Sequence, residues 1–317
     1  MKCRALFTFL SLALPLTVNA KLCGDDVGGQ DVPCACGDVV VSDLALGDDP
    51  VTETPCADDG LIVRAVSAGR GVTIDLRGKT LRGSGHGVGV WVLNGGPGGA
   101  RVVSTGGMAT VEGFRDGVVG NGDASIAVLD AIVAVANGRD GIRVGGSGYE
   151  IRNTQARESG RDGFALSGNG FTVSGTRATR SARWGYYVMG DHATLGTAGA
   201  GPVAEDSGYG GFSVMGMNHR LLECAASGSR EDGLRLWGMH FDVRGCVATG
   251  NHKDGINGMG EDWWVTGNHA NGNDHDGIVI GGIRVADLGG NGGSGNRGLG
   301  KQGRATQCRI SDRACQP

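Results

Sequence analysis

The sequence predicts an all-β solenoid, a parallel β-helix. Three observations carry that prediction: a glycine content too high for helices, a glycine-centred phrase that returns about every 22 residues, and two runs of alternating apolar residues inside each unit. Glycine fills 63 of 317 positions, against roughly 7% in ordinary globular chains. Collagen would need far more than the 7 prolines present. Helix-rich folds are disfavoured because each helical glycine costs about 1 kcal/mol relative to alanine. Apolar residues at 39% and charged residues at 20% leave enough material for a core and argue against disorder.

The repeat glycines are Gly117, Gly141, Gly163, Gly185, Gly211, Gly233, Gly255 and Gly277, spaced 24, 22, 22, 26, 22, 22 and 22 residues apart. After each comes a short alternating run, such as Ile142-Arg143-Val144, Phe164-Ala165-Leu166 and Leu234-Arg235-Leu236. Ile142, Phe164, Tyr186, Phe212, Leu234, Ile256 and Ile278 should therefore stack inward in one ladder. A second run begins eight residues after the glycine, as in Phe171-Thr172-Val173 and Trp263-Trp264-Val265. A third inward position is alanine: Ala156, Ala178, Ala226, Ala248 and Ala270. Such a unit has no room for the helix of a leucine-rich repeat, and a propeller blade needs about 40 residues. Triangular coils stacked about 4.8 Å apart remain.

The ends read differently. Lys2 and Arg4, the apolar run 5–17 and Val18-Asn19-Ala20 form a secretory signal over residues 1–20, with cleavage expected before Lys21. No other segment is apolar and long enough to span a membrane, so the expectation is a secreted, periplasmic or cell-surface protein. Removing Lys2 and Arg4 from 29 basic side chains leaves 27 against 33 acidic ones, a charge of about −6 that argues against a nucleic-acid partner. Residues 21–59, with Cys23, Cys34, Cys36 and Cys56, should cap the first coil, because an open solenoid end exposes unpaired backbone. Residues 60–290 should hold about ten coils, and residues 291–317 a glycine-rich tail stapled by Cys308 and Cys315. Cys224 and Cys246 occupy equivalent positions one coil apart, in range of each other. They read as a disulfide or a buried free pair, and a Cys224–Cys246 linkage is the expected outcome of peptide mapping.

The Arg/Lys-Asp-Gly turns, VTIDLRGKTLRGSG at 72–85 and CACGDVVVSDLALGDD at 34–49 make residues 34–290 resemble exported right-handed parallel β-helix repeat proteins of the pectate-lyase-like superfamily. That resemblance implies a right-handed solenoid. Its members include polysaccharide lyases, hydrolases, epimerases and non-enzymatic surface proteins, so the residues must select among them.

The position before each repeat glycine holds Asp116, Asp140, Asp162, Trp184, Gly210, Asp232, Asp254 and Asp276. The structural reading is an aspartate capping its own turn beside a left-handed glycine. Stacked carboxylates also need compensation from calcium, backbone donors or neighbouring cations. Calcium is thus the one cofactor the pattern admits, although the GGxGxD phrase of calcium-binding β-rolls is absent and no metal-ligand set is assigned. One position earlier, Arg115, Arg139, Arg161 and Arg183 form a basic rail. It either neutralises the aspartates or, with Arg161 and Arg183 touching substrate, holds an anionic polysaccharide.

Outward rows add Tyr187, Arg235 and Trp237, which suit a sugar face and a uronate carboxylate. The densest acid–base cluster is His252, Lys253, Asp254, Asp274, His275 and Asp276. A lyase or epimerase needs a base beside a uronate carboxyl and a cation for the enolate. His275, Lys253 and Arg235 are the catalytic candidates. His252, Asp254, Asp274 and Asp276 support them. Asp274-His275-Asp276 is also similar to the Asp-Pro-His-Asp motif of mannuronan C5-epimerases, without its proline. The expected function is a lyase or C5-epimerase acting on an extracellular or envelope uronate glycan. The alternative is a non-catalytic glycan-binding or adhesion β-helix.

Overall fold

A computed structural model describes residues 20–65, 70–123, 125–298 and 306–315. Residues 1–19 of the expected signal peptide, 1–20, lie outside the described residues. Alternating apolar and polar side chains put every second residue inside, and the chain winds as a right-handed solenoid of three sheets, parallel but for the closing antiparallel pair Cys308–Ile310 and Arg313–Ala314. Among the described residues the faces carry 14, 11 and 10 strands. Long strands follow the repeat glycines: Ile142–Ser147, Phe164–Asn169, Tyr186–Asp191, Phe212–Met217, Leu234–Met239, Ile256–Glu261 and Ile278–Ile283. They define a long-strand face. A second face follows each corner with short strands such as Arg220–Leu222, Asp242–Arg244 and Trp264–Thr266. The third carries Ala225–Ser227, Val247–Thr249 and His269–Asn271.

The expected ladder from Ile142 through Phe164, Tyr186, Phe212, Leu234 and Ile256 to Ile278 is in register, and all seven side chains are buried. Their rings stack: Phe164 on Tyr186 at 4.7 Å and Tyr186 on Phe212 at 4.6 Å between centroids. A buried large side chain contributes roughly 1.5–3 kcal/mol, so this column and its counterpart on the second face dominate stability. The alanine positions line the third face, fully buried.

Two expectations about the turn are corrected. The repeat glycines do not adopt positive φ. Steric closeness selects them instead, because a Cβ on Gly163 would stand 2.7 Å from the Gly185 carbonyl oxygen and 2.9 Å from Ala178 Cβ. The aspartates do not cap their own turns either. Each carboxylate accepts the backbone N–H one coil later: Asp162 N–H to Asp140 at 3.3 Å, Trp184 N–H to Asp162 at 3.1 Å and Asp276 N–H to Asp254 at 3.0 Å. A register of 22 residues brings the next coil's amide within hydrogen-bond reach of the carboxylate.

The N-terminal segment closes its end of the solenoid with Cys23–Cys34 and Cys36–Cys56 disulfides. At the other end Cys308–Ile310 pairs in parallel with Ile278–Ile283, and Cys308 is bonded to Cys315. Cys224 and Cys246, by contrast, are free and fully buried, which corrects the expected linkage. In-register parallel chains hold equivalent Cβ atoms near the rung spacing of about 4.8 Å, beyond the usual disulfide range of about 3.5–4.5 Å. Each sulfur instead lies near a carbonyl, Leu195 at 3.6 Å and Leu221 at 3.7 Å. Burial pushes the Cys224 thiol well above its ordinary range, so it is a core side chain and no nucleophile.

Candidate functional site

The basic rail and the aspartate ladder lock into one another. Arg161 forks onto Asp140 through Nε at 2.8 Å and Nη2 at 2.5 Å, and its Nε lies 3.4 Å from Asp162. Arg143 bridges Asp116 and Asp140 at 3.6 and 3.9 Å. Arg183 reaches Asp162 at 3.9 Å and lies over the Tyr187 ring, 5.9 Å from its centroid. Asp140 is fully buried, with Arg161, Arg143 and the Asp162 N–H around its carboxylate. Burial raises the Asp162 carboxyl above its ordinary value, against the backbone bond from Trp184 that pulls it down.

The late cluster is assembled as the repeat implies. Lys253 and His275 are one rung apart, with the His275 N–H donating to the Lys253 carbonyl at 3.2 Å. The Lys253 ammonium is ion-paired with Glu231, which raises it above its ordinary value. Asp274 pairs with Arg297 at 3.2 Å. The Asp276 carboxylate accepts the Thr306 N–H at 2.9 Å, and Asp254 accepts the Asn257 amide at 2.8 Å. His252 Nδ1 lies 3.2 Å from the Ser229 carbonyl. Arg235 sits 3.4 Å from Asp232. Burial raises the Asp232 carboxyl, and the neighbouring Asp254 adds to that.

The outward rows follow the register Tyr187, Ser213, Arg235, Asn257 and Met189, Met215, Trp237, Met259. Trp237 is 54% exposed and stands beside Arg235 on one strand, while Tyr187 is two rungs away, roughly 10 Å. His275 lies before its strand and Trp237 near the end of another, so they are on the order of 20 Å apart. The structure thus gathers Tyr187, Arg235 and Trp237 on one surface and places the Lys253–His275 pair at its far margin.

A second set lies around the corner and was not singled out from the sequence. Asn218, Arg220, His240, Asp242, Arg244 and Trp264 line an open cleft of about 480 Å³. Arg220, Asp242 and Trp264 are register partners on successive strands of the second face. Asp242 takes both guanidiniums, Arg220 Nε at 3.7 Å and Arg244 Nε in a shorter hydrogen bond. One carboxylate cannot neutralise two guanidiniums, so the cleft keeps a cationic excess beside an indole that is 46% exposed. His240 turns the corner with φ of 57° and places Nε2 3.3 Å from Asp262. The Arg284 guanidinium, hydrogen-bonded to Asp262, holds that carboxyl below its ordinary value. His240 Nδ1 is buried without a hydrogen-bond partner. Alternation in Trp263-Trp264-Val265 was the available signal: if Val265 and Trp263 point inward, Trp264 must point out.

No protein-family model matches this chain, and no curated protein or solved structure matches it. What the structure shows of the expected likeness is the right-handed parallel β-solenoid itself. Among the described residues no group of three or more His, Cys, Asp and Glu side chains is placed to hold a metal, and no helix is long and apolar enough to cross a membrane.

Proposed function

We propose that this chain is an exported β-solenoid that binds an acidic glycan along the corner between the long-strand and second faces. One observation carries the reading: an exposed Trp264 ring in an open cleft beside two arginines that share a single carboxylate. An indole face stacks on a sugar ring, and unneutralised guanidinium charge meets its carboxylate. Trp237, Arg235 and Tyr187 extend the contact onto the long-strand face, whereas Arg183 and Arg161 stand on the Lys253–His275 ladder at that face's opposite margin, held by Asp162 and Asp140. An open groove with evenly spaced contacts suits a polymer better than a compact metabolite. Disulfides at both ends of the solenoid favour an oxidising, extracytoplasmic compartment.

The enzymatic form of this reading, a lyase or C5-epimerase on a uronate glycan, rests on the adjacency of Lys253 and His275. His275 would take the proton beside the carboxyl, Lys253 or Arg235 would meet the developing enolate charge, and His252, Asp254, Asp274 and Asp276 would orient them. Lys253 and Arg235 already carry Glu231 and Asp232, which favours binding over turnover. The test incubates the secreted protein with uronate-containing and neutral glycans, with and without calcium. It scores binding, ultraviolet absorbance from unsaturation and proton exchange at C5. Retention of acidic glycans without unsaturation or exchange is expected. Turnover abolished in His275→Ala would establish the enzyme instead, and no binding to any acidic glycan would reject both forms.

A further inference from the structure

The sequence has 7 methionines, and five of them, Met189, Met215, Met217, Met239 and Met259, point outward from the long-strand face. Among the described residues none lies in the buried core, which is built from Val, Ile, Leu, Phe, Ala, Tyr, Trp and Cys. That inverts the ordinary use of methionine as a filler of irregular cores. A surface made only for apolar contact would be served by the leucine and isoleucine this chain uses inside.

The register brings the thioethers together. Met215 and Met217 leave one strand on the same side, separated by Gly216, whose Cβ would collide with the Gly190 carbonyl at 1.6 Å. Met217 is the register partner of Met239, and Met215 that of Met189, one rung or about 4.8 Å away. Three rotatable bonds per side chain let neighbouring sulfurs meet at one point. Trp237 stands between them, partner of Met215 and two residues before Met239. Asp191, partner of Met217 and acceptor of its backbone N–H at 2.8 Å, adds negative charge at the margin.

We propose that Met215, Met217 and Met239 form a binding site for a soft monovalent metal ion, Cu(I) or Ag(I), with Met189 as an alternative ligand at its edge. Thioether sulfur prefers such ions to Zn²⁺, Ca²⁺ or Mg²⁺. Neutral ligands leave the ion's charge uncancelled, and the Trp237 ring face and the Asp191 carboxylate offset it. The site borders the proposed glycan surface and shares Trp237 with it, but the chemistry differs: glycan contact needs apolar rings and arginines, whereas metal binding needs sulfur.

The experiment uses the mature protein labelled at the methionine methyl carbons. It is titrated with Ag(I) and, under anaerobic reducing conditions, with Cu(I) in competition with a chromophoric chelator. One equivalent should move the Met215, Met217 and Met239 methyl signals together, quench Trp237 fluorescence and leave Met108 unmoved. The triple variant Met215→Leu, Met217→Leu, Met239→Leu keeps the apolar surface. It should lose affinity by more than about 100-fold, since even outer partners of a metal site are worth about 10–100-fold, while its melting temperature and glycan binding stay unchanged. Should the triple variant fold poorly, Met217→Leu alone should weaken binding about tenfold. Metal uptake with static methyl signals, the outcome if the Cys224 and Cys246 thiols were the ligands, would overturn the proposal. So would a leucine variant that binds as tightly as the parent.

Discussion

The turn rail of the early coils and the corner of the late coils are built from the same residue types, arginine, aspartate and an aromatic ring, and reach opposite ends. At the rail, Asp140 is fully buried, Arg161 forks onto it and the next coil's amide donates to it. At the corner, Asp242 is shared by two arginines, and Trp264 faces water. A ladder whose every rung carries the same partner satisfies itself. Where the repeat loses a rung, with Asp242 lying between Arg220 and Trp264, chemistry is left over for a ligand.

The largest effect should come from breaking the rail. Asp140→Ala leaves the buried Asp162 N–H without its acceptor and loosens Arg161, which keeps Asp162 at 3.4 Å, and an unsatisfied buried donor costs about 1–3 kcal/mol. Denaturant unfolding should show that loss, with glycan affinity of the folded fraction intact. Trp264→Ala should do the reverse: stability within about 0.5 kcal/mol of the parent, and acidic-glycan affinity lower by about tenfold, or roughly 1.4 kcal/mol. Comparable unfolding of both variants would erase the distinction between the two regions.

A smaller effect concerns His219, which lies under the corner. Its Nδ1 accepts the Ala193 N–H at 3.1 Å and its Nε2 faces the Met215 carbonyl at 3.3 Å, so the ring is held neutral. Burial lowers its pKa below the ordinary value near 6.5. The unfolded chain therefore takes up this proton first on acidification. Stability is unaffected by His219 above about pH 6.5 and declines as pH falls from there through the lower folded value. Melting temperatures measured between pH 7 and pH 5 should fall, and His219→Gln should flatten that slope. The smallest effect is chemical: alkylation of the native protein should spare Cys224 and Cys246. Alkylation after unfolding without reductant should label these two while the three disulfides persist. A Cys224–Cys246 peptide in the non-reduced map would contradict the free pair.

The solenoid was legible because its cause is periodic. The 22-residue spacing and the alternation in Ile142-Arg143-Val144 fix both the inward ladder and the strand partners. The reason for the repeat glycines was not legible, since the contact that excludes a Cβ on Gly163 comes from Gly185, a whole coil away. Nor was the cleft. Arg220, Asp242 and Trp264 share a row only after each is placed on the second face, and no single segment carries all three. The His252–Asp276 cluster drew attention because its residues fall in two unbroken triplets at equivalent places in successive repeats, although most of its charges are spent on neighbouring coils.

Binding of one uronate oligosaccharide, measured by calorimetry on the parent, Arg244→Ala and Arg161→Ala, tests the central claim most directly. Arg244→Ala should weaken binding about tenfold, with a loss that shrinks on added salt, while Arg161→Ala changes affinity far less. Equal losses in the two variants, or an Arg244→Ala protein that binds as the parent does, would contradict the claim.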